Sequence, residues 1–124
     1  MPDSTTGDLS RRARGRWGED RAVAHLRRLG YEILTRNWRS PERHVGGELD
    51  VVACDGDVLV VCEVKARRSG RHGGAVAAVG PAKQERIRTL AESWLRTHGP
   101  LPGGIRFDVV TIDGVELRHW RAAF

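Results

Sequence analysis

The stretch GGELDVVACDGDVLVVCEVK, residues 46–65, contains two runs of β-forming hydrophobic residues on either side of Asp55-Gly56-Asp57. Asp-Gly between apolar runs is the strongest short-range signal for a β-hairpin. Four charged residues interrupt the two runs: Glu48, Asp50, Glu63 and Lys65. Because an isolated charge in an apolar strand is costly unless it is paired, metal-bound or neutralised, this hairpin is expected to carry a functional site.

The chain around the hairpin has the size and composition of one small globular domain. Its 124 residues are 30% charged and 40% hydrophobic, and we expect a disordered tail at residues 1–9 followed by a single domain at residues 10–124. The net charge of +5 and the pI of about 10.2 favour a polyanionic partner, nucleic acid before an anionic membrane. No apolar run approaches the roughly 18 residues that a membrane span needs, and no signal-peptide pattern is present, which predicts a cytoplasmic protein.

Helices and further strands are predicted on both sides of the hairpin. The predicted elements are a helix that starts at Asp8, at Ser10 or as late as Arg16 and ends at Leu29, strands at 31–38, 48–54 and 58–66, a helix at 81–97, and strands at 105–112 and 115–120. The order αβββαββ is typical of an α+β fold in which helices flank a mixed sheet.

Each predicted helix directs one charged residue toward the sheet. The apolar stripe of the first helix is Ala22, Val23, Leu26 and Leu29. One turn earlier, the same stripe reaches Glu19. In the second helix, Lys83 precedes the buried-stripe residue Ile87 by four positions and continues that stripe. Lys65 and Lys83 are the only lysines among 21 basic residues, which reflects either chance or positions that need a compact ammonium group with a tunable pKa.

The turn of the hairpin decides whether its charged side chains converge. Side chains alternate between faces along a strand, so the two charged residues of each strand share a face. A two-residue turn at Asp55-Gly56 or at Gly56-Asp57 brings all four onto one face, and the second turn also pairs Asp50 with Glu63. A regular three-residue loop would separate them unless a bulge restored the phase.

Carboxylates that share one face repel one another unless a cation lies between them, so Glu48, Asp50 and Glu63 are candidate metal ligands. Hard oxygen ligands without a nearby cysteine or paired histidine suit Mg²⁺ or Mn²⁺ rather than zinc. A neighbouring lysine can orient or deprotonate a water molecule, or stabilise charge on a phosphate, and this combination favours phosphodiester hydrolysis. The structural alternative is an internal ion pair between Glu63 and Lys65, or one that involves Glu48, without catalysis.

The joint spacing resembles the PD-(D/E)XK nuclease superfamily, in which an acidic residue precedes a hairpin and a Glu-x-Lys motif follows it. From about residue 15 to its end, the chain is similar to the YraN family of bacterial proteins, which is related in fold to archaeal Holliday junction resolvases. The matching stretches include Gly18-Glu19, Leu29-Gly30-Tyr31, Asn37-Trp38-Arg39, Gly47-Glu48-Leu49-Asp50, Val61 to Lys65, Lys83 and Arg106-Phe107-Asp108-Val109. The proline of the superfamily pattern is absent, as in the resolvase branch.

This resemblance implies a restriction-endonuclease-like core and a division of roles on the hairpin. Asp50 and Glu63 would hold the metal together with the backbone carbonyl of Val64. Lys65 would position the attacking water. The implied cofactor is Mg²⁺ or Mn²⁺.

The two helices would contribute supporting groups to the same catalytic site. Glu19 would support the metal ligands or would bind a second metal ion, and Lys83 would contact the scissile phosphate or support the site. The activity implied is a metal-dependent endonuclease that hydrolyses phosphodiester bonds of DNA, branched or structured DNA included. Cutting two symmetric strands of a junction would favour a homodimer.

Arginines beside the hairpin and on the first helix are the candidate DNA contacts. The basic, glycine-rich loop after the hairpin contains Arg67, Arg68 and Arg71. The arginine-rich face of the first helix, which includes Arg14 and Arg16, is either a phosphate-contact surface or an ordinary solvated face. The rival function is a nucleic-acid-binding protein that retains the fold with little catalysis, and a third is a structural partner in a larger assembly.

Three further polar residues have two interpretations each. His44 and His72, both in predicted loops, either assist phosphate binding or are exposed loop residues. Asp108, in a predicted strand, either joins the acidic site or pairs with an arginine such as Arg106 or Arg36.

Overall fold

A five-stranded sheet with a helix on each face forms the fold. A computed structural model describes residues 4–67 and 79–124, with side chains described from residue 15 onwards. Its elements are α1 (Ser4–Arg28), β1 (Glu32–Trp38), β2 (Leu49–Asp55), β3 (Val58–Arg67), α2 (Pro81–His98), β4 (Ile105–Asp113) and β5 (Glu116–Trp120). This order confirms the predicted αβββαββ arrangement of an α+β protein. Among the described residues, no helix is long and apolar enough to cross a membrane.

The sheet is mixed, and its strands follow one another in chain order from β1 to β5. Neighbouring strands are antiparallel except for β3 and β4, which run parallel. A parallel pair needs a long crossover connection. The segment that contains α2 provides this connection, and it puts α2 on the face of the sheet opposite α1.

Each face of the sheet has its own hydrophobic core. The core beneath α1 contains Ala22, Val23, Leu26, Val51, Ala53, Val60, Cys62 and Val110, among others. The core beneath α2 contains Leu49, Val52, Val61, Ile87, Leu90, Trp94 and Val109, among others. Because both faces are covered, buried charged residues of the central strands, such as Glu63 and Asp108, need partners.

A two-residue turn at Gly56-Asp57 joins β2 to β3. Asp55 pairs with Val58, and the same register continues along the hairpin to Val51 and Cys62. Gly56 has a φ of 62°, and glycine with positive φ at the first central position is typical of a type II′ hairpin turn. Of the alternatives predicted for this turn, the structure therefore has the one that brings Asp50 beside Glu63.

Helix α1 differs from its prediction at both ends. It begins at Ser4, so it includes residues 4–9 of the predicted disordered tail. Proline is absent from the chain between Pro2 and Pro41, and once a helix has nucleated, each added residue gains a hydrogen bond. At the other end, Leu29 does not join the buried stripe: it is 45% exposed because the helix ends at Arg28.

Candidate active site

A polar pocket of about 230 Å³ lies where α1, α2 and the β2–β3 hairpin meet. Its lining residues are Gly15, Glu19, Asp50, Glu63, Val64, Lys65, Ala66 and Lys83. The five residues predicted as catalytic are all among them, and they come from four different elements. Asp50 and the pair Glu63 and Lys65 come from the two strands of the hairpin, so the turn register brings them together.

Asp50 and Glu63 form an adjacent pair of carboxyl groups. Glu63 is 5% exposed, and Asp50 is partly buried. Burial, followed by the negative charge of Glu63, raises the pKa of Asp50 to about 7. The backbone N–H of Val64 donates a hydrogen bond of 2.9 Å to Asp50 Oδ2. This hydrogen bond acts to lower the pKa of Asp50 but does not outweigh the other two effects. Near neutral pH the pair can be fully ionised only beside a compensating positive charge.

Lys83 of α2 supplies one such positive charge. Its Nζ lies 2.6 Å from Glu63 Oε2, while about half of the lysine side chain remains exposed. Burial acts to lower the pKa of Lys83, but the hydrogen bond and the charge of Glu63 outweigh it and raise this pKa. The sequence predicted Lys65 as the alternative ion-pair partner of Glu63. Lys65 is instead an exposed residue on the pocket wall.

A close approach of α1 to β3 brings Glu19 over the pocket. A Cβ atom at Gly18 would lie 2.8 Å from the Cβ of Ala66, a separation that real Cβ atoms essentially never show. Only glycine lets the helix backbone come this near to the strand. The next residue, Glu19, therefore reaches the carboxylates of the sheet, and burial together with the charge of Asp50 raises its pKa.

Two residues of β1 hold Glu19 from the other side. Asn37 Nδ2 donates a hydrogen bond of 3.0 Å to Glu19 Oε1. Arg36 Nη2 lies 3.5 Å from the same oxygen and 2.7 Å from Oδ1 of the adjacent Asp20. Neither residue was predicted as part of the site. The available signal was that Asn37 is the only asparagine in the chain and belongs to a residue type that tolerates left-handed backbone.

Glu48 does not join the pocket, so this part of the prediction is wrong. It precedes β2, and its Oε2 lies 3.1 Å from Nη2 of the exposed Arg39. Regular alternation would keep Glu48 and Asp50 on one face. The alternation fails at this end of β2, since Leu49 and Val51 lie in different cores although they are two residues apart.

Asp108 belongs to a separate buried network rather than to the acidic site. Its carboxylate, 0% exposed, accepts hydrogen bonds from Arg106 Nε at 2.9 Å and from the backbone N–H of Ala122 at 3.1 Å. His119 Nε2 lies 2.8 Å from its second oxygen. Burial acts to raise the pKa of Asp108, but the hydrogen bonds from His119 and Arg106 lower it. The predicted structural pair with Arg106 is therefore the correct alternative.

The predicted DNA-contact arginines are only partly described. Arg16 is exposed on α1, one turn from the pocket residue Glu19. Arg67 ends β3, and its carbonyl accepts a hydrogen bond from the backbone of Gly114. His44 is exposed in the loop before β2. Outside the described residues or side chains are Arg14, Arg68, Arg71 and His72.

The donor set of the pocket suits a hard divalent cation. In the described ranges, no group of three or more His, Cys, Asp or Glu residues is arranged to hold a metal. Mg²⁺ commonly retains several waters and needs only one or two carboxylates from the protein. Asp50 and Glu63 meet this need, and their mutual repulsion is the feature that a cation would relieve.

The fold and pocket define an α+β protein with paired carboxylates and two lysines between its helices. Residues 18–112 match the model of the Uncharacterised protein family UPF0102. UPF0102 protein SCO5602 of Streptomyces coelicolor is 52% identical over 104 residues, which cover 83% of this chain and 78% of that protein. UPF0102 protein Francci3_3586 of Frankia casuarinae is 47% identical over 117 residues, which cover 90% of this chain and 96% of that protein. A UPF0102 protein of Acidothermus cellulolyticus is 43% identical over 130 residues, covering 93% and 96%. The chain belongs to the UPF0102 family, also called YraN, which confirms the resemblance found in its sequence.

Proposed function

We propose that this protein is a cytoplasmic, metal-dependent endonuclease that hydrolyses phosphodiester bonds of DNA. The observation that carries the proposal is the convergence of Asp50, Glu63 and Lys65 in one pocket. Two neighbouring carboxylates and a lysine at a pocket wall suit metal-assisted hydrolysis of a phosphodiester bond. The spacing shared with the PD-(D/E)XK nucleases supports the same chemistry.

Asp50 and Glu63, with the carbonyl of Val64, would hold Mg²⁺ or Mn²⁺. When bound, the cation supplies Lewis-acid stabilisation of phosphate charge and lowers the pKa of a coordinated water. The burial of Glu63 and the partial burial of Asp50 strengthen their interaction with a cation, because screening by solvent is weaker there. The raised pKa of Asp50 implies that divalent binding releases protons near pH 7.

The remaining pocket residues provide positive charge and orientation. Lys65, exposed on the pocket wall, would hydrogen-bond the attacking water or a phosphate oxygen. Lys83 neutralises Glu63 and keeps about half of its side chain accessible to a substrate phosphate. Glu19, held by Asn37, adds a third carboxylate from α1 to the pocket wall.

Branched or structured DNA is the proposed substrate, and a homodimer would cut its two symmetric strands. The net charge of +5 favours phosphate backbones as partners. Arg16 lies one turn from Glu19 and is exposed, so it is a candidate phosphate contact next to the pocket. The other candidate contacts are Arg14, Arg67, Arg68 and Arg71.

Cleavage of linear duplex and four-way junction DNA during a Mn²⁺ titration tests this proposal. The substitutions Asp50→Asn and Glu63→Gln keep side-chain size and should lower cleavage at least 100-fold, equivalent to roughly 2.7 kcal/mol of lost transition-state stabilisation. Glu116→Gln is the matched control because Glu116 is exposed on β5, outside the pocket. A wild-type protein that binds DNA as well as both variants but cleaves neither substrate would be a non-catalytic binding protein.

A further inference from the structure

Asn37 has a backbone conformation that is unusual for a residue in a strand. Its φ is 53°, and Ala122 is the only other non-glycine residue with positive φ in the described ranges. Asparagine tolerates this left-handed region better than most residues, whereas β-branched residues are strongly disfavoured there. Asn37 is the second-last residue of β1, at the end of the strand that approaches the pocket. Its backbone conformation there requires a structural explanation.

The left-handed residue coincides with a change of face in β1. Before it, Arg36 contacts Asp20 of α1. After it, Trp38 packs edge to face against Trp94 of α2, with ring centroids 5.2 Å apart. Residues two apart in a regular strand share a face. Arg36 and Trp38 point to opposite faces of the sheet, so the regular alternation of side chains in β1 is broken at Asn37.

Strand β2 changes face at the position opposite Asn37. Val51 lies in the core beneath α1 and Leu49 in the core beneath α2. These two residues pair with the two neighbours of Asn37, so Asn37 lies across the ladder from Asp50. The two strands therefore rotate together at the point where Asp50 enters the pocket.

The side chain of Asn37 connects this rotation to α1. Its Nδ2 donates the 3.0 Å hydrogen bond to Glu19 Oε1, although Asn37 itself is not part of the pocket lining. One residue thus contacts the acidic side chain of α1 and has a left-handed backbone across the ladder from Asp50.

We propose that Asn37 is the positioning residue of the pocket, with its left-handed backbone orienting Asp50 and its amide orienting Glu19. Its consequence for metal binding rests on the proposed function. The contact itself can be tested without metal, because [¹⁵N]asparagine labelling gives a single side-chain amide signal pair in the chain's NMR spectrum. In the metal-free protein, Glu19→Ala should shift this pair and increase its exchange with water.

Three substitutions separate the backbone effect from the amide effect. Asn37→Gly keeps the positive φ and removes the amide, and it should weaken Mn²⁺ binding about tenfold, the scale of one hydrogen bond to a charged group. Asn37→Val opposes the positive φ and should weaken binding further. Asn37→Asp keeps the shape of the side chain but repels Glu19, so it should also weaken Mn²⁺ binding. Adding Glu19→Gln to this variant should restore its Mn²⁺ affinity. Ala122→Gly, at the other left-handed position, should leave the Mn²⁺ affinity unchanged.

The decisive measurement is the Mn²⁺ dissociation constant, by electron paramagnetic resonance, of Asn37→Gly with and without Glu19→Ala. If Asn37 acts through Glu19, its substitution has much less effect in the Glu19→Ala background. Equal losses in both backgrounds would overturn the amide role, and an amide signal insensitive to Glu19→Ala would overturn the contact. A wild-type protein that binds no Mn²⁺ would refute the proposed function instead, and the metal-free spectrum would still decide the contact.

Discussion

Lys83 Nζ of α2 lies 2.6 Å from Glu63 Oε2 of β3, so a half-exposed ammonium group compensates a carboxylate that is 5% exposed. Among the described residues, the positive charge that pairs with Glu63 therefore comes from helix α2 rather than from Lys65 of the hairpin. This arrangement implies that Lys83 and a divalent cation compete for the same negative charge.

Replacing Lys83 should separate metal binding from catalysis. Lys83→Met is expected to lower the stability of the metal-free protein by about 1–2 kcal/mol, less than a fully buried pair because the lysine is half exposed. Mn²⁺ should bind this variant at least as tightly as wild type, while DNA cleavage falls. Calorimetric Mn²⁺ titration and cleavage rates check this, with Lys83→Arg as the charge-preserving control. Weaker Mn²⁺ binding in Lys83→Met than in Lys83→Arg would show that the lysine supports the metal site.

The stability of the metal-free protein should depend on pH through Asp50. Its pKa is raised to about 7 in the folded state, whereas an unfolded aspartate titrates near its ordinary value of 3.8. The folded state therefore binds more protons between these values, and the free energy of unfolding should fall as pH rises from about 4 to 7, by up to about 4 kcal/mol. Urea unfolding in EDTA measures this slope. Asp50→Asn should flatten it and stabilise the protein at pH 7.5, and an unchanged slope in that variant would assign the pH dependence elsewhere.

Two glycines of α1 should respond in opposite ways to alanine. Gly18→Ala puts a methyl group against Ala66, so the helix must move away from β3, at a cost of about 1–3 kcal/mol. Gly15→Ala meets nothing within 4 Å and should stabilise the helix by up to about 1 kcal/mol. Thermal unfolding of both variants gives the comparison. Equal changes would mean that the close approach at Gly18 contributes nothing.

The buried Asp108 network should be structural only. Asp108→Ala leaves Arg106 and His119 without their carboxylate partner and should lower the free energy of unfolding by about 3–5 kcal/mol. The Mn²⁺ affinity of the folded fraction should be unchanged, since Asp108 does not line the pocket. Unfolding in urea and Mn²⁺ titration below the melting temperature test the two parts. A loss of Mn²⁺ binding without a loss of stability would show that Asp108 belongs to the acidic site and is not purely structural.

The features that the sequence predicts well are local ones. The Asp-Gly signal and the apolar runs are contained within a few residues, so the hairpin follows from them. They leave the turn register open, and the structure has the one of the predicted alternatives that brings Asp50 beside Glu63. The stripe of α1 likewise predicts that Glu19 points inward, since helical periodicity needs no knowledge of the partner. The order of helices and strands follows from the same kind of pattern.

The errors arise where a residue distant in sequence decides the outcome. Regular alternation predicts Glu48 in the pocket, but the alternation fails because β2 rotates beside the left-handed Asn37 of β1. The choice of Lys83 rather than Lys65 as the partner of Glu63 depends on how α2 crosses the sheet. The register of β1 against β2 and the way α2 crosses the sheet are set by the whole fold. Neither can be predicted from the pair of residues that the fold brings together.

Glu19 and Lys83 belong to helices that pack on separate cores, on opposite faces of one sheet. Helices with separate cores can open locally as separate units, each with its own free energy. A ligand that contacts both residues would oppose the opening of either helix, so its binding would appear as slower amide hydrogen exchange in both. Because the pocket is lined by residues of both helices, a bound ligand would couple the local opening of α1 to that of α2.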